Sequence, residues 1–115
     1  VNKAKKQGTT YETNIVNRLN KNKFLNKTFA EGGSKDLVDI QLLVGDEEYY
    51  IEAKSRQNLN IHQSLDKAID KSGSENTILF WKKLKKRDGN SRRSSDGMPE
   101  VVTMSYDLFV KLMNK

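Results

Sequence analysis

Asp39 and Glu52 stand thirteen residues apart, and Lys54 follows Glu52 after one residue. Between them runs Ile40-Gln41-Leu42-Leu43-Val44-Gly45-Asp46-Glu47-Glu48-Tyr49-Tyr50-Ile51. Two runs of strand-forming residues therefore flank a two-residue loop that begins with glycine, the pattern of a type II′ hairpin. With Gly45 and Asp46 as the loop, Val44 pairs with Glu47, and counting outward sets Asp39 opposite Glu52. Cross-strand Cβ atoms lie about 5 Å apart, so like charges there repel. A divalent cation removes that repulsion, because hard cations take carboxylate oxygens. Residues two apart on a strand share a face, which groups Lys54 with the two acids. Two carboxylates and an ammonium at one spot suit metal-assisted phosphodiester hydrolysis. The plain alternatives are a solvent-facing Asp39 and an exposed cross-strand charge pattern at Glu52 and Lys54, although aspartate is depleted in strands.

A fourth group belongs with these three. The spacing predicts a helix over about Thr10 to Asn22, with Tyr11, Ile15, Val16 and Leu19 as its apolar stripe. At about 100° per residue Glu12 falls in the middle of that stripe. Thr9-Thr10-Tyr11-Glu12 also reads as a Thr-x-x-Glu capping box at the helix start. Glu12 is then either a cap folded back on the backbone or a carboxylate turned inward, where a charge needs a partner.

The elements that must position these groups follow from pattern. A basic arm, predicted to be loose, spans 1–8. The first helix is followed by a short strand over Lys27 to Ala30 and a turn at Gly32-Gly33-Ser34-Lys35. Leu37 to Val44 and Glu48 to Lys54 form the hairpin. A second helix runs from Asn60 to Lys71 with Ile61, Leu65, Ala68 and Ile69 inward, and Ser72-Gly73-Ser74 ends it. Thr77 to Trp81 reads as a buried strand, 82–97 as a long basic loop, and Val101 to Met104 as a last strand. Ser105 caps a final helix containing Leu108, Phe109 and Leu112. The expected order is α-β-β-β-α-β-β-α, an α/β chain forming one domain over 1–115. The Gly-Gly-Ser-Lys turn lacks P-loop spacing, but its amides and the Ser34 hydroxyl could touch a phosphate.

Composition narrows the chemistry. The 115 residues suffice for one domain with a modest core. Charged residues reach 31%, and no apolar run approaches the roughly 20 residues that cross a bilayer. No membrane partner is expected, no signal peptide is visible at the basic start, and cytoplasm is the expected compartment. A chain that starts at Val1 is expected to have lost an initiator methionine or more. There is no cysteine and one histidine, which excludes disulfides, thiolate nucleophiles and multi-His zinc sites. His62 and Ser64 have no third partner in view for a hydrolase triad. A metal here would be oxygen-ligated, Mg2+ with Mn2+ as a substitute, and no small-molecule organic cofactor is expected. The net charge of +6 favours a polyanionic partner, most commonly nucleic acid. Lys82, Lys83, Lys85, Lys86, Arg87, Arg92 and Arg93 form the densest basic run, either a solvated loop or an arm that tracks a DNA backbone. Lys5, Lys6, Lys35 and Arg56 are further candidate DNA contacts. Trp81 is expected in the core rather than as a stacking platform.

The ordered set Gln7-Gly8-Thr9-Thr10-Tyr11-Glu12, Gly33-Ser34-Lys35, Val38-Asp39-Ile40 and Tyr50-Ile51-Glu52-Ala53-Lys54 resembles the PD-(D/E)XK nuclease superfamily. Within it the likeness is to archaeal-type Holliday junction resolvases, including phage versions, and it covers roughly Gln7 to Arg56. Glu-x-Lys alone is a short motif, and the ordered set is more specific. The resemblance implies a restriction-endonuclease-like core, a central mixed sheet flanked by helices. It implies that Glu12, Asp39 and Glu52 bind the metal, that Lys54 is the catalytic lysine, and that Ser34 belongs to the active-site loop. It also implies a homodimer that nicks two symmetry-related strands of a four-way junction. The chain departs from the pattern at Val38, where the superfamily name has proline, at Thr13 and Ala30, where basic residues are usual, and in the segment after Trp81.

The resulting expectation is a Mg2+-dependent DNA endonuclease of the junction-resolvase type, two copies matching the two-fold symmetry of the junction. Two other readings share the residues: the same chemistry on duplex, forked or single-stranded DNA, and a nucleic-acid-binding module without catalysis.

Overall fold

A computed structural model describes residues 3–22, 29–32, 38–85 and 98–115, with backbone only for 3–9 and 29–32. The elements are α1 (Lys3–Lys21), β1 (Phe29–Gly32), β2 (Ile40–Val44), β3 (Glu47–Arg56), α2 (Ile61–Ser72), β4 (Thr77–Lys83), β5 (Glu100–Thr103) and α3 (Tyr106–Met113). This is the expected α/β order. The strands form one mixed sheet in the order β1-β2-β3-β4-β5. Only β3 and β4 pair in parallel, and α2 makes the crossover that a parallel pair requires.

The hairpin has the register that its turn predicts. Val44 pairs with Glu47 and Ile40 with Ile51, and Gly45 has φ 64°, the positive value a primed turn needs. Strand alternation then sorts side chains between two faces. On one face Ile40, Leu42, Tyr49, Ile51 and Ile78 pack with Tyr11 and Ile15 of α1 and Leu108 of α3. Ile40 and Ile51 are fully buried, and each such side chain stabilises the fold by about 1.5–3 kcal/mol. The other face carries Glu52, Lys54, Leu79 and Trp81, with α2 laid along β4. Asn60 caps α2 by accepting from the Gln63 amide, and Gly73 closes it in the left-handed conformation with its N–H on Ile69 O. Ser105 caps α3 in the same manner as Asn60 caps α2.

Three sequence expectations change. Residues 3–8 are not a loose arm, because α1 already begins at Lys3. Ala4 and the lysines and glutamine around it are strong helix formers, and Gly8 in the interior costs only about 1 kcal/mol. Thr9 is therefore no N-cap, and the capping-box role of Glu12 falls away. The third change concerns the basic loop. Lys82 and Lys83 belong to β4, where strand alternation carries them to opposite faces. The Lys82 ammonium lies 5.8 Å from the Tyr11 ring centre and that of Lys83 5.3 Å from the Trp81 ring. Lys82 and Lys83 thus do not share one patch. Lys85 is exposed. Trp81 is core, with its indole N–H donating to Arg56 O at 3.0 Å. Tyr49 is core as well, and His62 lies on the exposed helix surface. No helix among the described residues is long and apolar enough to cross a membrane.

Candidate active site

Asp39 sits at the bend where the chain enters β2. One step beyond the Ile40–Ile51 pair it reaches β3 with its side chain: Oδ2 accepts the Ala53 N–H at 2.8 Å. A carboxylate takes the place of a ladder carbonyl, which fixes Asp39 against the strand that carries Glu52 and Lys54.

Glu52 is on the middle strand of the sheet and is 7% exposed. Its Oε2 lies 3.8 Å from the Lys54 ammonium and 3.7 Å from that of Lys71 on α2. Both distances exceed hydrogen-bond range, so the contacts are ionic only. Oε1 is buried with no hydrogen-bond partner among the described residues. A buried acceptor left so costs about 1–3 kcal/mol, and more when charged. Thr77 is the other buried polar side chain of the described set, and it is satisfied by Ser74 O and Ser72 Oγ, each at 2.6 Å. The contrast marks Glu52 as the place where the fold leaves an acid without donors.

The electrostatics join Glu12 to this pair. Burial, and then the charge of Asp39 and a hydrogen bond with it, push the Glu12 carboxyl up to about 7, with Glu52 adding to the effect. Burial, then the charge of Asp39 and a hydrogen bond with it, raise Glu52, opposed by Lys71 and Lys54; that bond needs a proton on one of the two acids, so Oε1 has no donor when both are ionised. Asp39 is the shared neighbour of both glutamates. Tyr11 and Ile15 anchor this stretch of α1 in the core, and Glu12 beside them is half-buried.

The structure thus brings Glu12, Asp39, Glu52 and Lys54 into one interacting group. It does not close the three acids into a cage: among the described residues no three His, Cys, Asp or Glu side chains are arranged to hold a metal ion. Ionised carboxylates repel one another, and a counter-ion between them would offset that repulsion. An unpartnered buried oxygen on Glu52, with Asp39 beside it, is nonetheless a donor set that suits a hard cation.

Of the other predicted contacts, Lys5 and Lys6 lie in the first turns of α1, and Arg56 ends β3 and is exposed. Ser34, Lys35, Lys86, Arg87, Arg92 and Arg93 lie outside the described residues. Sequence reasoning missed Lys71. Its i, i+4 partner Lys67 was visible as a basic pair on one helix face, but the placement of that face over β3 was not.

No family model matches this chain, and comparison with characterised proteins and with solved structures likewise finds no match.

Proposed function

We propose that this chain is a metal-dependent DNA endonuclease with a restriction-endonuclease-like core, acting as a homodimer with four-way junctions as its favoured substrate. The observation that carries the reading is the buried Glu52 carboxylate with an orphan oxygen, flanked by Asp39, Glu12 and Lys54. Asp39 and Glu52 would hold Mg2+, with Mn2+ as a substitute, and Glu12 would support them. Such an ion, when bound, makes water a competent nucleophile near neutral pH and neutralises charge on a scissile phosphate. Lys54 extends from β3 two residues beyond Glu52 and supplies a positive charge for the phosphoryl oxygens of the transition state. Asp39, pinned by the Ala53 amide, holds one wall of the site in place. The ordered motif set from Gln7 to Lys54 supports the junction-resolvase assignment. The paired reaction on a two-fold junction calls for two copies, and Tyr106, Phe109 and Met113 give α3 an exposed apolar side suited to a second copy.

The test is incubation with a synthetic four-way junction, a fork and a duplex, with and without Mg2+. Paired nicking of the junction that needs Mg2+ and disappears in Asp39→Ala, while junction binding survives, is the expected result. Equal cutting of all three substrates would remove the junction preference. An Asp39→Ala variant that cuts normally would remove the site.

A further inference from the structure

A groove of about 360 Å³ opens beside Glu52 between β3 and α2. One wall is Lys54 and Arg56, two apart on β3 and hence on one face. The other is Lys67 and Lys71, four apart on α2 and hence on one helix face. Asn60 and Gln63 line the N-terminal end of the helix. Four cations thus line the groove with one acid, the buried Glu52. Asp66 and Asp70 of the same helix are exposed and are not among the lining residues, so α2 sorts its charges by sign. Among the described residues no ion pair engages Arg56 or Lys67, while Lys54 and Lys71 approach Glu52 at 3.8 and 3.7 Å. Among the described residues the surplus of three positive charges has no internal anion to neutralise it.

We infer that this groove binds the phosphodiester backbone of a single nucleic-acid strand, with Lys67 and Lys71 of α2 and Arg56 of β3 as phosphate contacts that lead the strand to Glu52. A polyanion is the ligand class that two parallel rows of cations attract. The amides of Asn60 and Gln63 add neutral hydrogen-bonding groups, as sugar-phosphate contacts use. A volume of about 360 Å³ takes a stretch of one strand's backbone rather than a whole duplex. That the strand is the one being cut rests on the nuclease reading; that a strand binds here does not.

The experiment measures anisotropy of a short fluorescent oligothymidylate in EDTA over a salt series, with cleavage in Mg2+ followed separately. Each phosphate neutralised on a single strand contributes about 0.7 to the slope of log K against log salt. The double variant Lys67→Ala/Lys71→Ala should therefore flatten the slope by about 1.4, a loss of roughly 25-fold in affinity at 0.1 M salt. Lys67→Arg/Lys71→Arg should restore the slope. Lys111→Ala on α3, which packs against the opposite sheet face, should leave it unchanged. If melting shows the double variant unfolded, Lys67→Ala alone should still flatten the slope by about 0.7. An unchanged slope in the folded lysine variants, or the same flattening in Lys111→Ala, overturns the groove whatever the cleavage result. A lysine-dependent slope in a protein that never cuts DNA upholds the groove and removes the nuclease reading.

Discussion

Two carboxylates of this protein meet opposite treatment. Glu100 on β5 receives the Arg18 guanidinium in a two-pronged contact, both bonds at 2.7 Å, and the Tyr11 hydroxyl at 2.6 Å. Both oxygens are engaged, and Arg18 holds its carboxyl below the usual range. Burial, and then the hydrogen bond to Glu100 and its charge, push the Tyr11 hydroxyl up, with Arg18 opposing. Glu52, two strands away, is more deeply buried and has one oxygen with no donor among the described residues. Helix α1 serves both: Tyr11 and Arg18 close the Glu100 clamp, while Glu12, next in sequence to Tyr11, faces the acids. A chain able to satisfy Glu100 so fully from one helix can satisfy a carboxylate. The open valence at Glu52 is the one that a ligand from outside would complete.

The difference between the two ends can be broken in steps of falling size. Removing the acids should have the largest effect: Glu52→Ala and Asp39→Ala should reduce Mg2+-dependent cleavage to background, whereas Arg18→Ala should leave the chemistry intact apart from its effect on stability. Junction-cleavage rates under single-turnover conditions read both. Lys54→Ala should slow cleavage by about 10²–10³-fold, the range for losing one donor to developing charge, with DNA affinity changed far less.

Stability reports the same asymmetry. In EDTA at neutral pH, Glu52→Gln should make the fold more stable by about 1 kcal/mol, because it removes a poorly solvated buried charge. If Glu52 holds the proposed metal, the variant should also lack any rise in melting temperature that Mg2+ brings to the natural chain. Thermal melts with and without Mg2+ decide this, and a destabilised, still Mg2+-responsive Glu52→Gln would contradict the assignment.

The two ends should also answer pH with opposite signs. Glu12 and Glu52 have folded-state pKa values above their unfolded ones. Without divalent metal they penalise the fold as they ionise, so stability falls as pH rises from the ordinary glutamate value of 4.5 through about 7. Glu100 has a lowered folded value, so its contribution is present above the ordinary glutamate pKa and is lost as pH falls below it. Chemical denaturation across pH should show the neutral-side loss vanish in a Glu12→Gln/Glu52→Gln variant and the acid-side loss shrink in Glu100→Gln. The smallest effect is Arg18→Ala, about 0.5 kcal/mol of stability, because Arg18 is half exposed.

Much of the fold was legible beforehand because its signals are local. The Gly45-Asp46 turn dictated the β2–β3 register, Asn60 and Ser105 marked helix starts, and Gly73 marked an end. Thr9-Thr10-Tyr11-Glu12 imitates a capping box and so predicts a helix start near Thr10, while good helix formers before it extend the helix back to Lys3. Charge density after Trp81 predicts a loop from Lys82 onward, whereas the strand continues through Lys83. Glu100 drew no attention: nothing near it in sequence shows that Arg18 and Tyr11, more than eighty positions away, will meet it.

The sequence by itself settled which groups share a strand face, since turn length and the two-residue alternation of a strand leave one register for Asp39, Glu52 and Lys54. Only the tertiary structure decided that Glu52 is buried without a donor, that Glu12 reaches Asp39 from another element, and that Lys67 and Lys71 stand across a groove from Lys54 and Arg56. Those facts depend on how helices lie on the sheet. Packing of the whole core sets that arrangement, and no spacing within a single segment encodes it.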